Sequence, residues 1–374
     1  MMKNGLKRLL TLLMITALLA DAGAQNAAQP LKRKSVLSIM HRVADWQLNT
    51  WKTRGFRYQK SDWTNGACYT GLYSVGTLKG GKKYLNFLAQ IGNDLNWNTG
   101  RRRFFADDYC VGQTYAQLSM KYKDPKMIAP FIKLADSIVA QPHDEPLDWK
   151  NSIQLREWAW CDALFMGPPS LAYLSTAAHN PQYLATASKL WWKTTDFLYD
   201  SSTHLFFRDA SYFKKKEKNG EKVFWSRGNG WVVAGLVRVL ENMPADYPDR
   251  PRFERLYKDM MTKIISLQQP DGSWHASLLD PASYPIKEMS GTGFFCYALI
   301  WGLNHNLLGG EYWPAAQKAW KVMTESVNAD GMLGYVQPVG AAPQQVDASS
   351  TDVYGVGAFL LAGTELIHYL ERKK

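Results

Sequence analysis

Four cysteines and seven histidines are few for a chain of 374 residues. Cys68, Cys110, Cys161 and Cys296 lack zinc-ribbon spacing, and the histidines form neither H-x-x-H nor H-E-x-x-H. No metal site of the usual ligand patterns is on offer. G-x-S-x-G, G-x-x-x-x-G-K-[ST] and a G-x-G-x-x-G after a strand are also missing. These absences argue against a nucleophile-elbow hydrolase, a P-loop NTPase and a dinucleotide-binding oxidoreductase. With 46% hydrophobic and 21% charged residues, the chain is too apolar for disorder and too mixed for a membrane bundle. Lys+Arg exceeds Asp+Glu, 44 against 33, for a net charge of +11. The basic cluster from Lys214 to Lys218 reads as a solvated loop tip, so no nucleic-acid partner is expected. The excess charge can still steer an acidic ligand.

One long apolar run stands out, and it lies at the start. Lys3, Lys7 and Arg8 precede Leu9 to Ala20, and Ala22-Gly23-Ala24 follows, a small-x-small cleavage pattern before Gln25. That is the pattern of a secretory signal peptide. The run is short of the roughly 20 residues a membrane-spanning helix needs, and no later stretch is expected to reach that length. The expected organisation is a signal peptide at 1–24, an exposed N-terminal segment at 25–35 and a single domain at 36–374. The protein is expected to be exported, periplasmic or secreted, with no membrane attachment after cleavage. Losing three positive charges and Asp21 with the signal peptide would leave +9. Export permits disulfides, but buried free thiols are the plainer expectation in a chain of this size.

A six-fold pattern then organises the chain. Six times a polar turn leads into small and aromatic residues, beginning at Asp62, Asp107, Asp162, Arg227, Ser290 and Asp352. The six stretches that follow are nearly uncharged, which predicts helices buried all round. Between them, residues 36–51, 83–94, 128–140, 182–199, 252–268 and 313–327 are amphipathic, as expected of helices with one wet face. Six dry helices alternating with six wet ones predict an all-α fold, a closed double ring or (α/α)6 barrel. Short β pieces are expected in 200–226 and near 271–289. If the inner helices run parallel, all six polar turns share one mouth.

Aromatic residues are abundant: 15 Trp, 19 Tyr and 15 Phe. A core can be built from aliphatics, so this much Trp suggests stacking on a ring-shaped ligand. Trp158, Trp160, Trp225 and Trp231 cluster in sequence with Asp162 and Arg227, whereas Trp191, Trp192 and Trp301 fall where packing is expected. Asp162 lies between Trp160-Cys161 and A-L-F-M. Desolvation there would raise its pKa toward that of a general acid, although the same position suits a helix N-cap. Asp107 and Asp108 precede the neighbouring inner helix, and one can cap while the other faces the mouth. A pair of acids from adjacent turns is the usual glycoside-hydrolysis arrangement. Arg227 and Asn229, in W-S-R-G-N-G-W, suit recognition of a planar carboxylate, with Gly228 and Gly230 admitting a close ligand. A structural Arg stacked on Trp is the alternative.

Taken in order, A-D-D-Y-C-V-G-Q, W-C-D-A-L-F-M-G-P-P, F-W-S-R-G-N-G-W, D-G-S-W and S-G-T-G-F resemble glycoside hydrolase family 105, the unsaturated rhamnogalacturonyl hydrolases. The resemblance covers about residues 36–371. It implies an (α/α)6 barrel with no metal or organic cofactor. The implied substrate is an acidic, lyase-generated pectic oligosaccharide ending in 4,5-unsaturated galacturonic acid. The implied reaction hydrates the C4=C5 bond, after which the product rearranges and the glycosidic bond breaks. Asp162 matches the acid that protonates C4, Asp107 matches the second acid, with Asp108 as its alternative, and Trp225, Arg227 and Trp231 match a sugar-binding segment. One departure is visible: where the family carries a His, this chain has Arg208, with His204 four residues earlier. Arg208 could bind a further carboxylate or pair with Asp209. An inverting glycosidase on saturated sugars, a glucuronyl substrate and a non-catalytic sugar-binding protein are the competing readings.

Overall fold

The computed structural model describes residues 31–141 and 144–373, so the signal-peptide assignment lies outside the described residues. Twelve α-helices follow one another among them: α1 (Arg33–Arg54), α2 (Trp63–Gly76), α3 (Lys82–Asp94), α4 (Cys110–Tyr122), α5 (Ala129–Ala140), α6 (Ala163–Ala178), α7 (Pro181–Leu198), α8 (Ser226–Leu240), α9 (Arg250–Ser266), α10 (Met289–Asn304), α11 (Trp313–Glu325) and α12 (Val353–Arg372). Strand content is small, a two-residue hairpin of β1 (Tyr199–Asp200) and β2 (Leu205–Phe206) plus isolated bridges. Two bridges tie Trp160 to Asp209 and Trp225 to Ser277, so the β pieces expected in these connections hold the ends of inner helices.

The even-numbered helices pack in the order α2, α4, α6, α8, α10, α12 and back to α2, forming a closed inner ring. Every residue of α8 and α10 is buried, as expected of helices with neighbours on all sides. The odd-numbered helices wrap this ring. In α1 the buried positions are Val36, Met40, Val43, Ala44, Gln47 and Trp51, a stripe at helical spacing facing α12. Burying each of the larger apolar side chains in such a stripe contributes about 1.5–3 kcal/mol. The fold is therefore an (α/α)6 barrel. The ring closes where Tyr58 Oη donates to Asp352 Oδ2 at 2.9 Å, across 294 residues of chain. At this seam α2 and α12 come very close: a Cβ on Gly71 would lie 2.4 Å from Gly357 O.

Two features were not expected. At 20 residues, α12 is long and apolar enough to cross a membrane by length and composition, yet it is mostly buried in the ring. A helix surrounded by protein carries the same apolar signature as one surrounded by lipid. The second feature is Pro168-Pro169 inside α6. A proline cannot donate to the carbonyl four residues back. For Pro169 that carbonyl is Phe165 O, and Gln113 Nε2 on α4 donates to it at 2.8 Å. The helix therefore continues through the pair, with Gln113 Oε1 in turn accepting from buried Arg238 Nε at 2.5 Å. All four cysteines are buried free thiols.

Candidate active site

The ring brings the N-terminal ends of α2, α6 and α8 and the Ala106–Tyr109 turn before α4 to one mouth. There they enclose an inner cavity of about 200 Å³. Trp63, Asp107, Trp160, Asp162, Arg208, Trp225, Arg227 and Trp231 line it, with Met166 below and Val339-Gly340 at the rim. Of the two roles open to Asp162, the structure disfavours the cap: it stands at the N-cap of α6 but accepts no backbone N–H there. By contrast, Asp62, Glu288 and Asp352 do cap α2, α10 and α12 through their side chains. Asp162 is thereby left for the cavity. Its Oδ2 is buried and has no hydrogen-bond partner.

Burial pushes the Asp162 carboxyl up to about 6, against the pull of Arg208 and then Arg227, with Asp209 adding to the rise. Arg208 Nε lies 4.0 Å from Asp162 Oδ1. Arg208 also donates to Asp209 Oδ2 at 2.6 Å, and its guanidinium lies over the Trp149 ring at 4.6 Å. Of the two roles considered for Arg208, pairing with Asp209 is present. Its backbone carbonyl accepts from Cys161 N at 2.8 Å, which holds the Asp162 turn in place.

Asp107 is pushed well above the usual carboxylate range, first by desolvation and then by the charges of Asp162, Asp62 and Asp108, with Arg208 opposing. The charge of Asp162 thus opposes ionisation of Asp107. The choice between Asp107 and Asp108 falls out of the geometry. Asp108 accepts from Arg102 at 2.6 Å (Nη2), 3.1 Å (Nε) and 2.7 Å (backbone N). It clamps the preceding loop and does not line the inner cavity.

Three expectations around the aromatic frame need correction. Asn229 does not face the cavity: its amide accepts from Phe206 N and donates to Phe206 O and Trp225 O. On a helix it lies two positions from Arg227, about 200° around, whereas Trp231 at i+4 shares the Arg227 face. Trp158 is 1% exposed and lies behind the wall, against Gly167 and edge-on to Tyr109. Gly228 and Gly230 accommodate protein instead of ligand, with Cys161, Gly291 and Phe294 against them.

Arg227 takes the structural role weighed for it, and it lines the cavity. Its guanidinium stacks on Trp225 at 4.4 Å, while Nη1 donates to Gln337 O at 2.5 Å and Tyr354 Oη at 3.2 Å, and Nη2 to Pro338 O at 2.9 Å. Nε–H and one Nη2 hydrogen remain uncommitted, and Nε has no partner. Arg227 thus anchors the 337–338 rim and has two donors left uncommitted. Sequence reasoning missed Trp63, which stacks on Tyr354 at 5.5 Å and meets Trp231 edge-on at 5.8 Å. Its signal was present: it directly follows Asp62 in the first polar turn.

A second, outer cavity of about 1110 Å³ adjoins the first. Trp63 and Asp107 line both, so the two form one cleft with a narrow inner end.

The sequence model of Glycosyl Hydrolase Family 88 matches residues 37–370. An unsaturated 3S-rhamnoglycuronyl hydrolase of Formosa agariphila is 36% identical over 381 aligned positions, covering 98% of this chain and 99% of that protein. A protein of the same description from an Alteromonas species is 35% identical over 319 positions, covering 82% and 77%. The solved structure of a glycosyl hydrolase family 88 protein from Bacteroides vulgatus is 33% identical and superposes with a TM-score of 0.82, over 91% of this chain and 100% of that one.

Proposed function

The chain belongs to Glycosyl Hydrolase Family 88 and is a glycoside hydrolase, and we propose that it removes a terminal 4,5-unsaturated glycuronic acid from a rhamnose-containing oligosaccharide by hydrating the C4=C5 bond. The finer placement in family 105 rests on the motifs at Asp107, Asp162 and Arg227. One observation carries the reading. Asp162 Oδ2, Arg208 Nε and Arg227 Nε are buried, unpartnered and gathered around one aromatic-walled cavity of about 200 Å³. That volume lies below the roughly 300–1,000 Å³ of sites for drug-sized ligands and suits one sugar ring. Trp faces stack on the ring, and the arginine donors take its carboxylate.

In the proposed reaction Asp162 gives a proton to C4, and a water adds its oxygen to C5 while its own proton passes to a carboxylate of the Asp162–Asp107 pair. The net change is addition of water across the double bond. The C5 hemiketal opens to a ketone, and the C1 hemiacetal so exposed expels the aglycone as an alcohol. A carboxyl near 6 can both give and recover a proton near neutral pH.

Glucuronic and galacturonic acids differ only at C4, which is trigonal in the unsaturated residue. Apart from the anomeric linkage, the inner cavity therefore meets the same ring from either source, and the neighbouring sugar must tell them apart. Pectic rhamnogalacturonan is the source that the motifs favour; the similarity to two rhamnoglycuronyl hydrolases favours rhamnose beside a glycuronyl residue more generally. We also propose export, with periplasmic processing of oligosaccharides as the preferred setting. The test is a panel of lyase-generated disaccharides in which the unsaturated residue is linked to rhamnose or to other sugars. The rhamnose-linked members should lose the ultraviolet absorbance of the conjugated double bond. Stable absorbance across the whole panel, or turnover of saturated glycosides alone, overturns the proposal.

A further inference from the structure

The inner cavity holds one ring, yet the cleft continues into a space more than five times larger. We infer that this outer cavity binds the third and later sugars of the substrate, recognising them mainly through hydroxyl groups; the inference rests on the reaction proposed above. The shared residues Trp63 and Asp107 mark the junction, which places the scissile bond and second sugar there. From the junction the cleft runs outward between the 95–102 loop and α5, ending beside Leu134.

Three features make this a built site and not a surface dent. Its floor continues the aromatic wall of the inner cavity. Phe105 stacks on Trp160 at 5.6 Å, and the Arg102 guanidinium covers the Phe105 ring at 4.0 Å. Its wall is held in advance of binding. Trp97 N donates to Gly92 O at 2.7 Å, Tyr115 Oη to Asn98 O at 3.3 Å, and Gly100 N to Asp108 O at 2.8 Å. Asn96 and Trp97 adopt left-handed φ values of 49° and 57° within this frame. A fixed wall lowers the ordering cost of binding a flexible saccharide.

Its charges are also largely spent. Asp108 is paired with Arg102, and Asp94 with Lys60 at 2.5 Å. Burial holds the Asp107 carboxyl well above the usual carboxylate range, which leaves Asp62 and Arg101 as opposing single charges. Such a lining favours hydroxyl-rich sugars over a polyanion. Gln59, Ser61 and Thr99 supply amide and hydroxyl groups along it.

The test compares di- and tetrasaccharides with the same unsaturated end and the same second sugar. Wild type should show a kcat/KM for the tetrasaccharide at least about fivefold above that for the disaccharide, the equivalent of one net hydrogen bond. Leu134→Trp and Thr99→Tyr fill the outer cavity from α5 and from the 95–102 loop, and neither residue lines the inner cavity. Each should bring that ratio to about one, with disaccharide turnover within about twofold of wild type. The saturated fragment comprising the second to fourth sugars cannot react. Calorimetry should detect its binding to wild type and its loss in both variants. A wild-type ratio of one, or variants that keep the wild-type preference and fragment binding, overturns the inference. Fragment binding without turnover of any unsaturated substrate counts against the proposed reaction, and leaves the saccharide site standing.

Discussion

Replacing Asp162 by Asn should stabilise the protein while removing its activity. The carboxyl is pushed from 3.8 to about 6 because burial outweighs the attraction of Arg208 and Arg227. A shift of about two units corresponds to about 3 kcal/mol, at about 1.36 kcal/mol per unit. Between about pH 4 and pH 6 the native state binds more protons than the unfolded chain. Stability therefore falls as pH rises through that window and remains lower above it. Asn carries no such penalty. Asp107, which Asp162 pushes upward, is also relieved, in the same direction. With an unfolding entropy of about 2.1 cal/mol/K per residue over roughly 340 residues, the gain at pH 7 amounts to about 4 °C in Tm. Calorimetry at about pH 7 and about pH 4 measures it, and the gain should vanish at the lower pH. Turnover of the unsaturated disaccharide should fall by at least about 100-fold. An Asn variant that melts at or below wild type at pH 7, or whose advantage persists at pH 4, would refute the reasoning about a desolvated carboxylate.

Two further outcomes follow from the same geometry. Arg208→Gln removes a positive charge 4.0 Å from Asp162, where the other facing charges are Arg227, Asp209 and Asp107. At an effective dielectric of about 20 such a charge is worth at most about 4 kcal/mol, and Asp209 already offsets part of it. The limb of the kcat/KM profile governed by Asp162 should move up by at least about one pH unit; an unmoved profile would mean that Arg208 does not act on Asp162. Asn229→Ala leaves the Phe206 N–H and carbonyl without their side-chain partner, while Trp225 O keeps its bond from the residue 229 N–H, and should cost about 2–4 kcal/mol in denaturant unfolding. The folded variant should keep KM within about twofold; a selective rise in KM would put Asn229 back in contact with substrate.

The architecture was legible because its signal repeats. Six nearly uncharged stretches beginning at polar turns could only be buried helices, and their alternation with amphipathic ones left a double ring as the economical packing. The site was legible in part. Asp162, Asp107, Trp160, Trp225, Arg227 and Trp231 could be gathered because each stands at a turn before an inner helix. Asn229 failed because membership of a motif says nothing about which face of the helix a side chain takes. Trp158 failed because its ring packs back against Gly167, a contact between segments that proximity in sequence does not reveal. Whether Asp162 caps its helix was undecidable from residue type, since Asp62 and Asp352 in similar turns do cap theirs. The partners of Arg227 were invisible for another reason: Gln337 and Pro338 lie about 110 residues away.

That distance has a consequence for how the enzyme comes into being. Most packing in the barrel is between helices that follow one another closely, so hairpins can form early and locally. The cleft is different. Arg227 is 1% exposed, and burying its charge is costly until the 337–338 carbonyls and Tyr354 Oη arrive to receive its hydrogens. Those groups belong to α12 and the segment that leads into it, and α12 packs on α2 at the seam that the Tyr58–Asp352 bond closes across 294 residues. Long-range closures of this kind are slow steps. A chain in which α12 has not yet docked could hold most of the barrel's hairpins and still have no roofed cavity, so activity should appear all at once, with that contact made.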